Sequence, residues 1–269
     1  MNLILKMSEK IISVVLTHQS PDRVKRMCDY WERLFPECAL LIAYGGSFDH
    51  FEKIKGVQKV YIDDLRLRTK DHQRENQSYA GVFRAVSGYL KGSEYEYVYF
   101  TEFDQIPLCR DLLQGLIREL KRLDADVLFH GLEQVDGTGS AHYLYHQAKD
   151  NFLASLRKFS RRPDYRVVLS SLGFGQFWKR SGFDDVAALK DDVEVYLELW
   201  IPTVAHHLGY RVKNVSFSKE HSTMTGDRVA EIKKCLEQKV ECLHPVKTLW
   251  EKNSAEYDGL WRQLFEAGD

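Results

Sequence analysis

The segment YEYVYFTEFDQIPL (residues 95–108) decides how the rest of the chain is read. Its first half is aromatic and β-branched, the composition of a buried strand. Its second half sets Glu102 and Asp104 where such a strand runs out into a turn. Side chains at i and i+2 of an extended strand share a face. If the strand continues through residue 104, the two carboxylates therefore point to one spot. Two hard oxygen ligands at one spot suit a divalent metal, Mg²⁺ or Mn²⁺, with positions left open for phosphate oxygens and water. The competing reading is that they cap the next helix or pair with surface cations, as most carboxylates do. The nearly continuous apolar run before them places them at the carboxyl edge of a central strand, where the sites of α/β proteins form.

Upstream, IISVVLTH (11–18), ALLIAYGG (39–46) and VQKVYIDD (57–64) read as further strands. Between the first two, Ser20 stands as N-cap and Pro21 at the first helical position. Val24, Met27, Cys28, Trp31, Leu34 and Phe35 then recur at helical spacing until Pro36 stops the helix. ENQSYAGVFRAVSGYL (75–90) is a helix with Tyr79, Val82, Phe83, Val86 and Leu90 on one side. RDLLQGLIRELKRL (110–123) is another, with Leu112, Leu113, Leu116, Ile117 and Leu120 on one face, and ADVLFHG (125–131) is a strand. This order predicts an α/β fold: a central, mostly parallel sheet flanked by helices, with ligands at the strands' carboxyl ends.

Beyond residue 131 the pattern changes. EQVDGTGSAHYLYHQ (133–147) reads as a polar surface loop, and YRVVLSSLGFGQFWKRSGF (165–183) mixes apolar strand with glycine punctuation. DDVEVYLELWIPTVAHHLG (191–209) reads as a helix broken or kinked by Pro202 and closed by Gly209. YRVKNVSF (210–217) is a strand, and EYDGLWRQLFEAG (256–268) is a short amphipathic helix. No repeat or linker divides the chain, so one domain over 1–269 is expected.

With 44% hydrophobic and 29% charged residues in a chain of 269, a packed core is available. A formal net charge of −1 provides no electrostatic reason to expect nucleic acid or an anionic membrane as partner. The cysteines number five, an odd count with no Cys-x-x-Cys, which argues against a disulfide framework or zinc knuckle. A reducing, cytoplasmic setting is the expectation. No stretch approaches the roughly 20 apolar residues of a transmembrane segment. MNLILKM (1–7) lacks a signal-peptide pattern and reads as a disordered or edge-pairing leader, with Met7 as an alternative start.

Taken together, the β-α-β opening, the helix ENQSYAGVFRAV and a strand ending in an acidic x-Asp pair resemble glycosyltransferases of the GT-A fold. Their D-x-D motif would here be Glu102-Phe103-Asp104, with Glu in place of the first Asp. The resemblance then assigns metal contact to Asp104. Glu102 is left as a further metal ligand, or as a holder of ribose or of a metal-bound water. LHPVKTLW (243–250) is similar to the His-x(n)-Lys-Pro-Trp segment of some GT-A families, although Thr248-Leu249 stands where proline is expected. It implies His244 as a third metal ligand and Lys247 as a diphosphate contact; a structural histidine beside a proline turn is the alternative for His244.

The resemblance also implies a division near residue 131. A nucleotide-sugar-binding half runs over about 8–131, an acceptor-binding half over 132–250 and a C-terminal helix over 251–269. Thr17, His18 and Tyr44 are expected at the donor nucleotide, with Tyr44 stacking on the base or serving as an ordinary strand-end aromatic. Gly45 and Gly46 would allow close approach, and Asp63 and Asp64 either hold ribose or are solvated. Arg74 and Asn76 are expected at the donor phosphate or sugar. Gly173, Phe174 and Trp200 are expected at the acceptor, with core packing as the rival for Phe174 and for Trp178 in the same segment. Glu198, in apolar surroundings, is implied as general base, with Glu194, Asp191, Asp192, Asp184 and Asp185 as rivals. KEHSTMTGDR (219–228) reads as a loop that closes over the donor, with His221 as a loop histidine.

The implied activity is metal-dependent transfer of a sugar from a nucleotide-diphosphate sugar, by default a UDP-sugar, to the hydroxyl of a carbohydrate, lipid or protein acceptor. Two alternatives stay open: an inactive relative that binds nucleotide or glycan, and a sugar-phosphate nucleotidyltransferase. Against the second, THQSPDRVKR (17–26) contains none of the glycines those enzymes carry after the first strand.

Overall fold

The computed structural model describes residues 10–68, 78–135, 145–173, 175–189, 195–215, 220–221 and 228–266. The leader at 1–9, Arg74, Asn76, Phe174, Asp191, Asp192, Glu194 and most of 219–228 lie outside these. In chain order the strands are β1 Ile11–Thr17, β2 Ala39–Tyr44, β3 Gln58–Tyr61, β4 Tyr97–Glu102, β5 Ile106–Pro107 and β6 Val127–Phe129. They continue with β7 Glu133–Gln134, β8 Leu169–Ser170, β9 Gln176–Lys179, β10 Val212–Asn214, β11 Glu220–His221 and β12 Cys242–Leu243. The helices are α1 Pro21–Leu34, α2 Phe48–Lys53, α3 Tyr79–Leu90, α4 Leu112–Arg122 and α5 Tyr145–Phe159. After them come α6 Arg180–Ala187, α7 Leu197–His207, α8 Arg228–Glu237 and α9 Ala255–Trp261.

The main sheet has seven strands in the order β10-β6-β9-β4-β1-β2-β3. Its pairings are parallel except at β9, which runs antiparallel between β4 and β6. The expected α/β fold with a mixed, mostly parallel sheet between helices is therefore what forms. Every residue of β1 is buried, as a strand covered on both faces must be. Alternation then sorts its side chains. Ile11 and Val15 join the cluster that includes α1 and α4, while Ile12, Val14 and Leu16 join the one that includes α3, α6 and α7.

α2, β5, β7, β11, α8 and β12 form where no separate element was read, and two further segments depart from the expectations. α5 occupies 145–159, so the segment read as loop through Gln147 turns helical at Tyr145. Pro202 lies inside α7 without ending it. A proline at this position cannot donate to the carbonyl four residues back, which is that of Glu198. That carbonyl is met from outside the helix, by the backbone N–H of Ser171 at 3.0 Å. The proline thus turns a helical acceptor outward and ties the segment after β8 to the first turn of α7.

A three-stranded sheet, β11-β12-β5, attaches the late chain to the turn after β4. In it β12 runs antiparallel to β5, with Cys242 opposite Pro107 and Leu243 opposite Ile106. All five cysteines are thiols. Among the described residues, no helix is long and apolar enough to cross a membrane.

At the far end of the sheet, Asp126 precedes β6 and receives Lys179 Nζ at 2.8 Å and Arg211 Nε at 3.1 Å. Burial works to raise its pKa, but the hydrogen bonds from Arg211 and Lys179 win, and the carboxyl is held well below the usual range. A depressed folded pKa stabilises above the unfolded value of about 3.9, and that contribution is lost as pH falls through the folded value. Asp126→Asn is therefore expected to lower the urea midpoint at pH 7, with the gap to the wild type narrowing steadily as pH falls from about 4 to 2. Parallel curves across that range would contradict the assignment.

Candidate functional site

β1 and β4 are parallel neighbours, so their carboxyl ends open on the same side of the sheet. There a cleft of about 340 Å³ is lined by Thr17, His18, Gln19, Arg23, Gly45, Leu67, Tyr79, Glu102, Phe103, Asp104, Lys247, Thr248 and Glu251, with Leu16 behind them. Of the expected residues, this brings together Thr17, His18, Glu102, Asp104 and Lys247.

Strand β4 ends at Glu102, and Asp104 sits in the turn that follows rather than in the strand. The i/i+2 argument therefore does not hold as stated: the two carboxylates reach one cleft by a turn, not by strand alternation. They also have different neighbours. Glu102 accepts a hydrogen bond from the Tyr79 hydroxyl on α3. Asp104 is 4% exposed and lies 3.7 Å from His244 Nε2.

The pairing of β12 with β5 explains that second contact. Continued by one residue, its register carries His244 opposite Gln105, beside Asp104. The backbone N–H of Val246 donates to Asp104 O at 2.8 Å, and Trp250 Nε1 donates to Phe103 O at 2.6 Å. The segment 244–250 is thus stitched onto the acidic turn, and Lys247 projects from it into the cleft, exposed. Burial, and then Lys247 and His130, push the His244 pKa down to about 4. Its imidazole is neutral near pH 7, with a lone pair to offer a metal.

Inside the turn, Gln105 is 1% exposed and its Oε1 accepts from the hydroxyls of Tyr99 and Thr101. Its Nε2 lies 3.7 Å from Cys242 Sγ. This amide joins β4 to β12 directly behind Asp104. Gly175 leaves it room: at φ +65° a Cβ there would stand 2.5 Å from Gln105 Nε2 and 3.0 Å from the His130 ring. His130, buried at the end of β6, has its pKa lowered to about 4 by burial.

A divalent ion is the cofactor to test against these residues. Among the described residues, no group of three or more His, Cys, Asp or Glu side chains converges as a closed metal cage would. Expected as three ligands, Glu102, Asp104 and His244 therefore do not stand as a preformed trio, and Glu102 is engaged with Tyr79. Asp104 and His244 do fit an ion of the Mg²⁺ type, which takes one or two protein ligands and completes its shell with phosphate oxygens and water.

Other expectations shift. Tyr44 is fully buried, and its hydroxyl donates to Gln19 O at 3.0 Å. It supports the cleft from beneath and presents no open face for a base to stack on. The close approach that Gly45 and Gly46 permit is made by the protein itself: a Cβ would stand 2.8 Å from Leu67 Cδ1 at the first and 2.5 Å from the Tyr44 hydroxyl at the second. Asp64 is held by Arg66, and Asp63 pairs with Arg68. Trp200 is 4% exposed and packs edge-on against Phe83, so it belongs to the core and not to an acceptor surface.

Glu198 lies in the first turn of α7, half-buried, and its Oε1 accepts the Gly173 N–H at 3.3 Å. It does not line the cleft at β1 and β4. Among its rivals, Asp184 is taken up by Ser87 and Arg180, and Asp185 by Tyr210. A Cβ on Gly173 would meet Leu197 Cδ1 at 2.5 Å. Backbone contacts link this region to His130, because Leu172 N donates to His130 O at 2.9 Å.

Sequence reasoning missed Arg23, Gln19, Tyr79, Glu251, Gln105 and His130. Arg23 is bound to Gln19 Oε1 at 2.7 Å and Glu251 Oε1 at 3.0 Å. Its position in the first turn of α1, directly after β1, was the available signal.

No family model matches the chain, and no curated protein is similar to it in sequence. Solved structures are similar in overall shape. One is the apo form of mouse xyloside xylosyltransferase 1, 9% identical, with 89% of this chain and 98% of that one covered and a TM-score of 0.41. A second, from Desulfovibrio desulfuricans G20, is described as a nucleotide-diphospho-sugar transferase; it is 14% identical, with coverage of 77% and 79% and a TM-score of 0.40. A third is a mannosyltransferase of Pyrobaculum calidifontis in complex with GDP-Man and Mn²⁺, 12% identical, with 84% of this chain and 61% of that one covered and a TM-score of 0.44. All three are sugar transferases, the class to which the sequence resemblance pointed. At this level of similarity they carry no argument about chemistry, which has to stand on the cleft itself.

Proposed function

We propose that the protein transfers a sugar from a nucleoside-diphosphate sugar, by default a UDP-sugar, to an acceptor hydroxyl with the help of a divalent metal. One observation carries this: Asp104 and Lys247, far apart in the chain, line one cleft at the carboxyl ends of β1 and β4, and His244, three residues before Lys247, sets its Nε2 3.7 Å from the Asp104 carboxylate. Held through Asp104 and His244, Mn²⁺ or Mg²⁺ would supply Lewis-acid charge beside the diphosphate.

In this scheme Thr17 and His18 border the nucleoside; Arg74 and Asn76, outside the described residues, are assigned to the donor phosphate or sugar. Lys247 neutralises the diphosphate as the bond from the anomeric carbon to its oxygen breaks. Glu198, at the first turn of α7 and outside the lining of that cleft, is assigned to take the acceptor hydroxyl's proton as that oxygen bonds to the anomeric carbon. Gly173 and Phe174 flank the acceptor, and the Glu198 contact to Gly173 N–H fixes that segment. Glu102, turned to Tyr79, shapes the donor wall and faces ribose or a bound water. A binding-only protein is the second reading, favoured by the lack of a closed three-ligand group among the described residues.

The test is nucleoside diphosphate release on incubation with a panel of UDP-sugars and GDP-mannose plus Mn²⁺. Release from at least one donor, abolished by a chelator, is expected. Metal-dependent binding without release under any acceptor favours the second reading. Neither release nor a thermal shift with any donor overturns both, since a ligand of the folded state must raise its melting temperature.

A further inference from the structure

The cleft contains an internal ion pair where a nucleotide's phosphates would have to compete. Arg23 and Glu251 both line it, with Arg23 NH2 3.0 Å from Glu251 Oε1. Their side chains are 37% and 45% exposed, so solvent and ligand reach both. The pair is held from both sides. Gln19 Oε1 takes the other guanidinium nitrogen at 2.7 Å, and Arg26 donates to the backbone carbonyl of Glu251. Glu251 follows the segment that carries Lys247, so the carboxylate and the ammonium reach the cleft from one stretch of chain.

We infer that Arg23 is a second phosphate-binding arm of this cleft and that Glu251 is its built-in competitor, displaced when a diphosphate binds. This rests on the nucleotide-sugar assignment above. The physical case is a comparison of partners. A guanidinium fork matches phosphate and carboxylate oxygens alike. An exposed ion pair contributes little and is readily exchanged. A diphosphate that also meets Lys247 brings more charge than one carboxylate and so takes the fork from Glu251.

The experiment is isothermal titration with Mn²⁺ present, using UDP, GDP and inorganic pyrophosphate separately, on the wild type, Arg23→Gln, Glu251→Gln and the double variant. Arg23→Gln is expected to weaken the probes that bind by about tenfold. Glu251→Gln is expected to tighten them by about two- to fivefold. In the Arg23→Gln background the Glu251 change should give no gain, because the competition acts through Arg23. Unchanged affinity in Arg23→Gln, no tightening in Glu251→Gln, or a gain that persists in the double variant each overturns the inference while leaving the nucleotide assignment standing. A wild type that binds none of the three probes removes both.

Discussion

Asp104→Asn is expected to abolish metal-dependent nucleotide binding while leaving the fold intact. Asparagine has nearly the same shape and keeps one carbonyl oxygen, so the turn after β4 and the Val246 N–H bond to the Asp104 backbone carbonyl survive. What disappears is the negative charge that an ion of the Mg²⁺ type requires from a protein supplying only one or two ligands. His244 alone, a neutral imidazole, is a poor substitute. Titration of UDP or GDP with Mn²⁺ should show a loss of roughly 100-fold or more. The melting temperature of the ligand-free protein should move little, because the change removes a carboxylate that is 4% exposed, and buried carboxylates are costly to keep charged. Mn²⁺-dependent binding of wild-type strength in this variant would remove Asp104 from the site.

The second large effect concerns Trp250. Its side chain is 1% exposed, packs edge-on against Tyr30 and Tyr257, and donates to Phe103 O. Trp250→Ala is expected to cost about 3–5 kcal/mol from the cavity and lost contacts, seen as a fall in the urea midpoint. Trp250→Phe separates packing from positioning. It keeps an aromatic ring but deletes the N–H that holds the Phe103 carbonyl, one residue before Asp104. Its stability cost should be about 1–2 kcal/mol, yet metal-dependent nucleotide affinity should fall by about tenfold as the turn loosens. If Trp250→Phe binds nucleotide as the wild type does, the indole stabilises the fold without positioning the acidic turn.

How far the sequence predicted this structure depends on the range of the forces involved. β1 to β4, β6, α1, α3 and α4 were legible because their burial follows strand or helix spacing, and α1, α3 and α4 bury the faces their spacing implied, whereas the short α2, which buries no residue, and β5 carried no such signal. The direction of β9 was not legible, because a strand's residue pattern carries no record of which way its neighbours run. α5 was missed because its first turn lies in the polar stretch 133–147, although Phe152 and Leu156 recur at helical spacing and are buried. The site divides in the same way. Asp104, His244 and Lys247 stood in local motifs. Arg23 and Glu251 look like ordinary surface charges until the fold sets them 3.0 Å apart. Tyr44 and Trp200 failed in the opposite sense: an aromatic at an element's end looks available for a ligand, and only packing reveals that it is enclosed.

The antiparallel pairing of β5 with β12 also sets a timetable. Asp104 and His244 are separated by more than half of the chain, and the pairing that unites them closes a very long loop. The large sheet draws its strands from residues 11 to 214, all synthesised before the first residue of β12. A growing polypeptide can therefore assemble nearly all of its scaffold while its chemical centre is still only half present. The proposed pairing of Asp104 with His244 is thus the last part to form, when one short ribbon docks.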